Sequence, residues 1–253
     1  MADYPSFDHP SSYVTNFEHM ADEGLNLAAV FEVNQLPSQI IGPIQEAGIK
    51  TEAFQRLVLF GNGGKLFWER LDHFGVNRPD PIDSFSLHLT RQFMQRIAGK
   101  DDHQLILYPQ NELFLPLQQL GQMAGWGTPS PIGNSINPMY GLWFAFRSAF
   151  LTSVPLPVMQ VDLAPSPCLS CETKPCQVAC PAGAVKASAD RFKLDHCITH
   201  RLKENSPCAF DCLARQACPV GAEHRYPSEA VHLLYGSSIN AIRRCKADRL
   251  HPD

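Results

Sequence analysis

Nine cysteines fall between Cys168 and Cys245, and residues 1–167 contain none. Thiolate is the soft ligand of zinc and of iron–sulfur clusters, so this confinement points to metal or redox chemistry in one part of the chain. The first group reads Cys168-Leu-Ser-Cys171-Glu-Thr-Lys-Pro-Cys176-Gln-Val-Ala-Cys180-Pro181. The second comprises Cys197, Cys208, Cys212 and Cys218-Pro219, separated by ten, three and five residues. In both groups the Cys-Pro pair is followed, one residue on, by Gly-Ala (Gly183-Ala184 and Gly221-Ala222). Two zinc sites would use the same number of ligands, but zinc knots normally pair two C-x2-C clips and only one is present. The N-terminal stretch MADYPSFDHPSSYVTNFEHMADEG has no basic segment followed by an apolar one. Without a visible export signal, and with an odd cysteine total, a disulfide framework is disfavoured and a cytoplasmic address is expected.

The first group resembles the bacterial ferredoxin run C-x2-C-x2-C-x3-C-P, with four residues rather than two in its second gap. That longer gap is similar to the ferredoxin-like electron-transfer subunits of molybdenum oxidoreductases. In two-cluster ferredoxins the fourth cysteine of the run serves the other cluster. The resemblance therefore implies one [4Fe–4S] cluster on Cys168, Cys171, Cys176 and Cys218, and a second on Cys197, Cys208, Cys212 and Cys180. Cys245 is left over as a bystander. A single cluster beside degenerate cysteines is the remaining alternative.

The rest of the 253-residue chain must position these groups. Residues 1–163 carry 9 Lys+Arg against 16 Asp+Glu, whereas residues 164–253 carry 12 against 9, so the chemistry divides near residue 163. The overall charge of −4 argues against a general nucleic-acid coat. Residues 113–146 lack charge but are broken by Pro116, Pro129, Pro131 and Pro138 and by five glycines, so no membrane span is expected. Residues 1–25 read as a flexible tail. Strands are expected at Leu27–Val33, Arg56–Phe60 and Gln104–Tyr108. Helices are expected from Lys65 to Phe74, after Ser84 through Ile97, and over Leu113–Met123. Alternating strands and helices suggest an α+β body over 26–163. A proline-punctuated connector then leads to a cysteine module over 164–226 and a helical tail over 227–253.

Within the body, Gly141–Leu151 reads as a strand that places Arg147 among small and apolar neighbours. A guanidinium there needs an acceptor: a bound anion, a cofactor side group or a carboxylate from elsewhere. The loop Gly61-Asn62-Gly63-Gly64-Lys65 matches neither known phosphate-binding glycine pattern and reads as a tight turn. His196 and His200 flank Cys197 and read as ordinary surface or core residues.

The segment Ser135-Ile-Asn-Pro-Met-Tyr-Gly-Leu-Trp-Phe-Ala-Phe-Arg147 resembles the cobalamin-processing CblC family's His-Pro-x-Phe-Gly-x-Trp-Phe-Ala-x-Arg, with Asn137 in place of the His. Phe31-Glu32-Val33 is similar to that family's Phe-Glu-Val. The chain also resembles epoxyqueuosine reductase, in which a related α+β body joins a two-cluster ferredoxin module. Both resemblances imply a flavin-reductase-like α+β body, followed here by a dicluster bacterial ferredoxin-like module, with a corrinoid (cobalamin) held base-off in a cleft. Tyr140, Gly141, Trp143 and Arg147 would line that pocket. The expected protein is an iron–sulfur redox protein passing single electrons to a corrinoid. A non-enzymatic electron carrier that docks a donor or acceptor protein is the alternative.

Overall fold

The computed structural model describes residues 11–110, 113–188 and 191–250, the side chains of 11–12 and 245–250 excepted. Cys245, read above as a bystander, lies outside the described side chains. The chain forms two compact units: Met1–Trp126 with Ala145–Leu163, and Gly127–Phe144 with Ala164–Asp253. The uncharged stretch 127–144 thus groups with the cysteine-rich segment and not with the body that precedes it in sequence.

The first unit is a mixed α and β body. Its sheet has four strands in the order β1-β2-β6-β3: β1 Leu27–Glu32, β2 Arg56–Gly63, β3 Gln104–Tyr108 and β6 Phe144–Thr152. β1 and β2 pair antiparallel from Leu27 opposite Gly61 to Glu32 opposite Arg56. β2 is longer than its apolar run RLVLF suggests. It continues through Gly61-Asn62-Gly63, so the expected turn is strand, with the Asn62 side chain buried. β3 pairs antiparallel with β6, Gln104 opposite Thr152 and Ile106 opposite Phe150, until a register shift places Tyr108 opposite Ala149.

Helix α1 (Ser11–Asp22) replaces the tail expected there. Phe17 packs its ring against Phe60 and Phe93, at 6.0 and 4.8 Å between centres, and Met20 is 1% exposed. An apolar stripe too short to register as periodic is held by the partners it finds on the sheet. Helices α2 (Ser38–Glu46) and α3 (Leu66–Phe74) follow. Helix α4 (Pro81–Ile97) starts before Ser84, because Pro81 is preset for the first helical position. It buries the expected stripe of Phe85, Leu89, Phe93 and Ile97. Pro116 trims α5 to Leu117–Met123. β6 begins at Phe144, so Gly141–Trp143 precede the strand that was expected to include them.

The second unit contains a two-stranded ribbon of β4 (Thr128–Pro129) and β5 (Ser135–Ile136). Four helices follow: α6 (Pro175–Ala179), α7 (Leu194–Arg201), α8 (Leu213–Gln216) and α9 (Ser228–Leu250). Its core is Ile132, Ile136, Leu142, Val185, Ala214 and Cys218, with Cys168, Cys176, Cys180 and Cys212 packed around it. The 127–144 stretch therefore supplies half of the apolar support beneath the thiols.

Candidate functional site

The thiols of the second unit are placed by short turns. Ser166 accepts at its carbonyl from the Leu169 N–H, which curls the backbone through Cys168. Lys174 adopts a left-handed backbone (φ 43°) and donates its ammonium to the Cys168 carbonyl. Pro175 then starts α6, whose first turn carries Cys176. Residues four apart in a helix share a face, but Cys180 has left the helix for an extended backbone (φ −80°, ψ 103°). The run therefore projects its third and fourth cysteines differently. Cys197 lies within α7, Cys208 receives a hydrogen bond from Arg201 at its carbonyl, and Cys212 and Cys218 flank α8.

The thiols perturb one another in two sets. Burial pushes the Cys176 thiol up, and Cys218, Cys168 and Cys171 push it further. Burial likewise raises Cys218, with Cys168 and Cys171 adding while the Val220 N–H and Arg225 oppose. Cys168 is raised by burial and by Cys171, against Ser166 and Lys174. In the other set, Cys197 is pushed up to about 11 by burial and then by Cys212, Cys180 and Cys208, with Arg201 opposing. Cys208 is raised by burial, with Cys212, Cys180 and Asp211 adding against a hydrogen bond from the Leu213 N–H. One set is Cys168, Cys171, Cys176 and Cys218; the other is Cys180, Cys197, Cys208 and Cys212. Four crowded thiols repel as thiolates, and a proton on each thiol or a shared cationic guest relieves that repulsion.

Among the described residues, the eight cysteines Cys168 to Cys218 are free. Among the described residues, no three His, Cys, Asp or Glu side chains converge as they would on a single metal ion. A cube with iron at four corners holds its thiolates farther apart than one zinc ion does.

Of the residues expected to line a corrinoid pocket, Tyr140, Gly141 and Trp143 belong to the second unit and Arg147 to the first. Trp143 is 0% exposed, edge-on to Tyr226 and beneath the Arg215 guanidinium, so its indole packs a core. A side chain at Gly141 would stand 1.9 Å from the Val220 carbonyl oxygen, so this glycine faces protein backbone. Tyr140 sets its ring 4.8 Å from that of His224, and burial raises its hydroxyl above the ordinary value.

Arg147 is 5% exposed. Its Nε donates to Asn62 Oδ1 at 2.6 Å, and its guanidinium lies 4.4 and 5.1 Å from the ring centres of Phe67 and Trp68. The acceptor comes from the strand extension that read as a turn. Two further residues join it that sequence reasoning missed. Tyr108 faces Ala149, two positions from Arg147 on the same face of β6. Its phenol is raised by burial and by Asp83, with Arg147 opposing. Asp83, in the first turn of α4, is raised by burial and by Asp80, again with Arg147 opposing. An acid, a phenol and a fixed cation thus gather in the first unit. No motif marks them, since they come from α4, β3 and β6. A cavity of about 640 Å³ lies elsewhere in this unit, lined by Glu32, Gln45, Thr51, Phe54 and Arg56 among others, and includes none of these three.

No family model matches the chain, and no curated protein matches it in sequence. Solved structures do share its fold. An epoxyqueuosine reductase solved with an epoxyqueuosine-modified tRNA-Tyr stem loop aligns over 87% of this chain and 68% of its own, at 14% identity and a TM-score of 0.55. The Bacillus subtilis epoxyqueuosine reductase aligns over 85% and 66%, at 15% identity and a TM-score of 0.53. A reductive dehalogenase, whose structure suggests a mechanism for B12-dependent dehalogenation, aligns over 94% of this chain but 35% of its own, at 12% identity and a TM-score of 0.55. Among the described residues, no helix is long and apolar enough to cross a membrane. The fold of this chain is similar to that of epoxyqueuosine reductases, one of the two resemblances its cysteine and Tyr-Gly-Leu-Trp-Phe segments carry.

Proposed function

We propose that this chain is an iron–sulfur redox protein with a flavin-reductase-like body and a dicluster ferredoxin-like module. Cys168, Cys171, Cys176 and Cys218 hold one [4Fe–4S] cluster, and Cys180, Cys197, Cys208 and Cys212 hold the other. The observation that carries this reading is that Cys176 and Cys218 feel Cys168 and Cys171, whereas Cys197 and Cys208 feel Cys180 and Cys212, so each set draws one member from the other stretch of sequence. Single electrons pass through the module to a corrinoid held by the body, in a reducing, cytoplasmic setting. Support for the corrinoid comes from the shared fold with a reductive dehalogenase associated with B12-dependent chemistry. A corrinoid supplies a cobalt centre whose axial bonds weaken on reduction.

The chain's own residues supply the surroundings. Arg147 contributes a fixed positive charge, and burial keeps the Tyr108 and Asp83 groups protonated to higher pH than usual, so both can hold a proton for a reacting group. A fold shared with an epoxyqueuosine reductase solved on a tRNA stem loop adds RNA as a substrate class to test, since net charge speaks only against a general coat.

The test is anaerobic purification with iron and sulfide counts, EPR of the reduced protein, and titration of the same sample with hydroxocobalamin and with a tRNA stem loop. Two cluster signals and a stoichiometric change in the corrinoid spectrum are expected. Zinc, or no metal, removes the cluster reading; clusters with no corrinoid change leave the carrier reading. One observation favours that second reading. Leu169 and Val178 are 82% and 87% exposed beside the first thiol set, an apolar surface suited to a docked electron-transfer partner.

A further inference from the structure

Two arginines of the second unit are enclosed without a carboxylate. Arg201, at the end of α7, is 8% exposed. Its Nε donates to the Cys208 carbonyl at 3.1 Å, Nη1 to Ser238 Oγ at 3.0 Å, and Nη2 to the Ala209 and Tyr235 carbonyls at 3.3 and 3.1 Å. Its guanidinium also lies 5.0 Å from the Tyr235 ring centre. Arg215, in α8, is equally enclosed. Its Nε and Nη2 both donate to the Leu142 carbonyl, at 3.1 and 2.6 Å, and it sits over the Trp143 and Tyr226 rings. Among the described residues the ion pairs are Arg56–Glu32, His196–Asp195 and His224–Glu223, so neither buried arginine takes part in one.

Carbonyls and ring faces satisfy the N–H groups but leave two net positive charges inside the protein. Arginine does not shed its proton to escape burial, and an enclosed charge without a counter-charge is strongly disfavoured. The contacts of Arg201 say where its counter-charge belongs: it grips the carbonyl of Cys208 and follows Cys197 by four positions, on the same face of α7. Arg215 spends its donors on the Leu142 carbonyl and lies against the Trp143 and Tyr226 rings, so it braces the core of this unit.

We propose that Arg201 is the built-in counter-charge of the cluster on Cys180, Cys197, Cys208 and Cys212, and that it raises the reduction potential of that cluster. This rests on the two-cluster reading. Four thiolates around a doubly positive iron–sulfur core are doubly negative in sum. One electron from an external one-electron donor makes the sum triply negative, with no bond formed or broken. A fixed cation favours the more negative state and so favours reduction.

The test is a dithionite redox titration of the full-length, cluster-loaded protein, followed by EPR. Arg201→Gln shifts one of the two signals to lower potential by about tenfold in reduced fraction at fixed poise, ~59 mV for a one-electron couple. The exposed Lys203→Gln, two positions away, moves neither signal, because water and salt screen it. A wild-type protein without clusters removes the underlying reading and this one together. Two wild-type signals with an unmoved Arg201→Gln overturn this inference alone. Should Arg201→Gln fail to load the second cluster, Arg201→Lys decides, since it keeps the charge but cannot span four acceptors. A retained signal near the wild-type potential supports the counter-charge role. Its loss assigns Arg201 to bracing and overturns the proposal.

Discussion

Two glycines offer a matched pair. Gly183 and Gly221 occupy the same place in the two Cys-Pro-x-Gly-Ala segments and share a left-handed backbone, at φ +59° and +65°. An added Cβ at Gly183 meets nothing within 4 Å. At Gly221 it would lie 2.4 Å from the Tyr140 carbonyl carbon and 2.6 Å from the Gly141 nitrogen, both backbone atoms that have no rotamer to yield. Left-handed geometry costs an alanine about 1–2 kcal/mol, and a stiffer unfolded chain returns about 0.4–1 kcal/mol. Gly183→Ala should therefore destabilise by about 0–1.6 kcal/mol. Gly221→Ala carries the same terms plus about 1–3 kcal/mol of overpacking against backbone, for a total of about 1–4.6 kcal/mol. Thermal unfolding of the two variants side by side should separate them by several degrees, given ~2–4 °C per kcal/mol for a chain of this size. Iron content should fall further in Gly221→Ala, because the strained turn follows Cys218. Equal loss in the two variants, or a larger loss in Gly183→Ala, would refute the close packing of Tyr140-Gly141 on Val220-Gly221.

Cys176→Ser and Cys218→Ser should abolish the same EPR signal, and Cys180→Ser the other; loss of one common signal from Cys176→Ser and Cys180→Ser refutes the crossed ligand sets. Phe17→Ala should cost about 3–5 kcal/mol, read from the denaturant midpoint, since it empties a site between Phe60 and Phe93; a change near zero would return residues 11–22 to the status of a tail. Asp83 binds its proton more tightly in the folded state than in the unfolded chain, so its contribution to stability is present at low pH. That contribution is lost as pH rises through the elevated folded value. Asp83→Asn should flatten this segment of the stability–pH curve, and an unchanged slope would count against the Asp83–Tyr108–Arg147 grouping.

Several elements could be read from the chain because local pattern decides them. The stripe of α4 and the short runs of β1 and β3 each follow from residue type at fixed spacing, which survives without knowledge of any partner. The positions of the cysteines and their Cys-Pro-x-Gly-Ala echoes are of the same kind. Helix α1 was illegible because its stability lies in the rings of Phe60 and Phe93, which are remote in sequence. Asn62 looked like part of a turn because glycines on either side carry no pattern; its burial, the Gly63 N–H bond to the Asn26 side chain and the Arg147 contact come from partners remote in sequence.

By itself the amino-acid order determined which stretch carries thiols, how they alternate with prolines and glycines, and which segments alternate between strand and helix. Only the tertiary structure decided what those groups face. It gathered residues 127–144 beneath the thiols, and it enclosed Trp143 where a ligand contact was expected. Without the register shift after Ile106, Tyr108 would stand opposite Ser148 and point to the other side of the sheet; the one-residue slip brings it onto the face of Arg147. Side-chain direction in a strand reverses with every residue, so a single bulge reassigns chemistry that spacing alone cannot foresee.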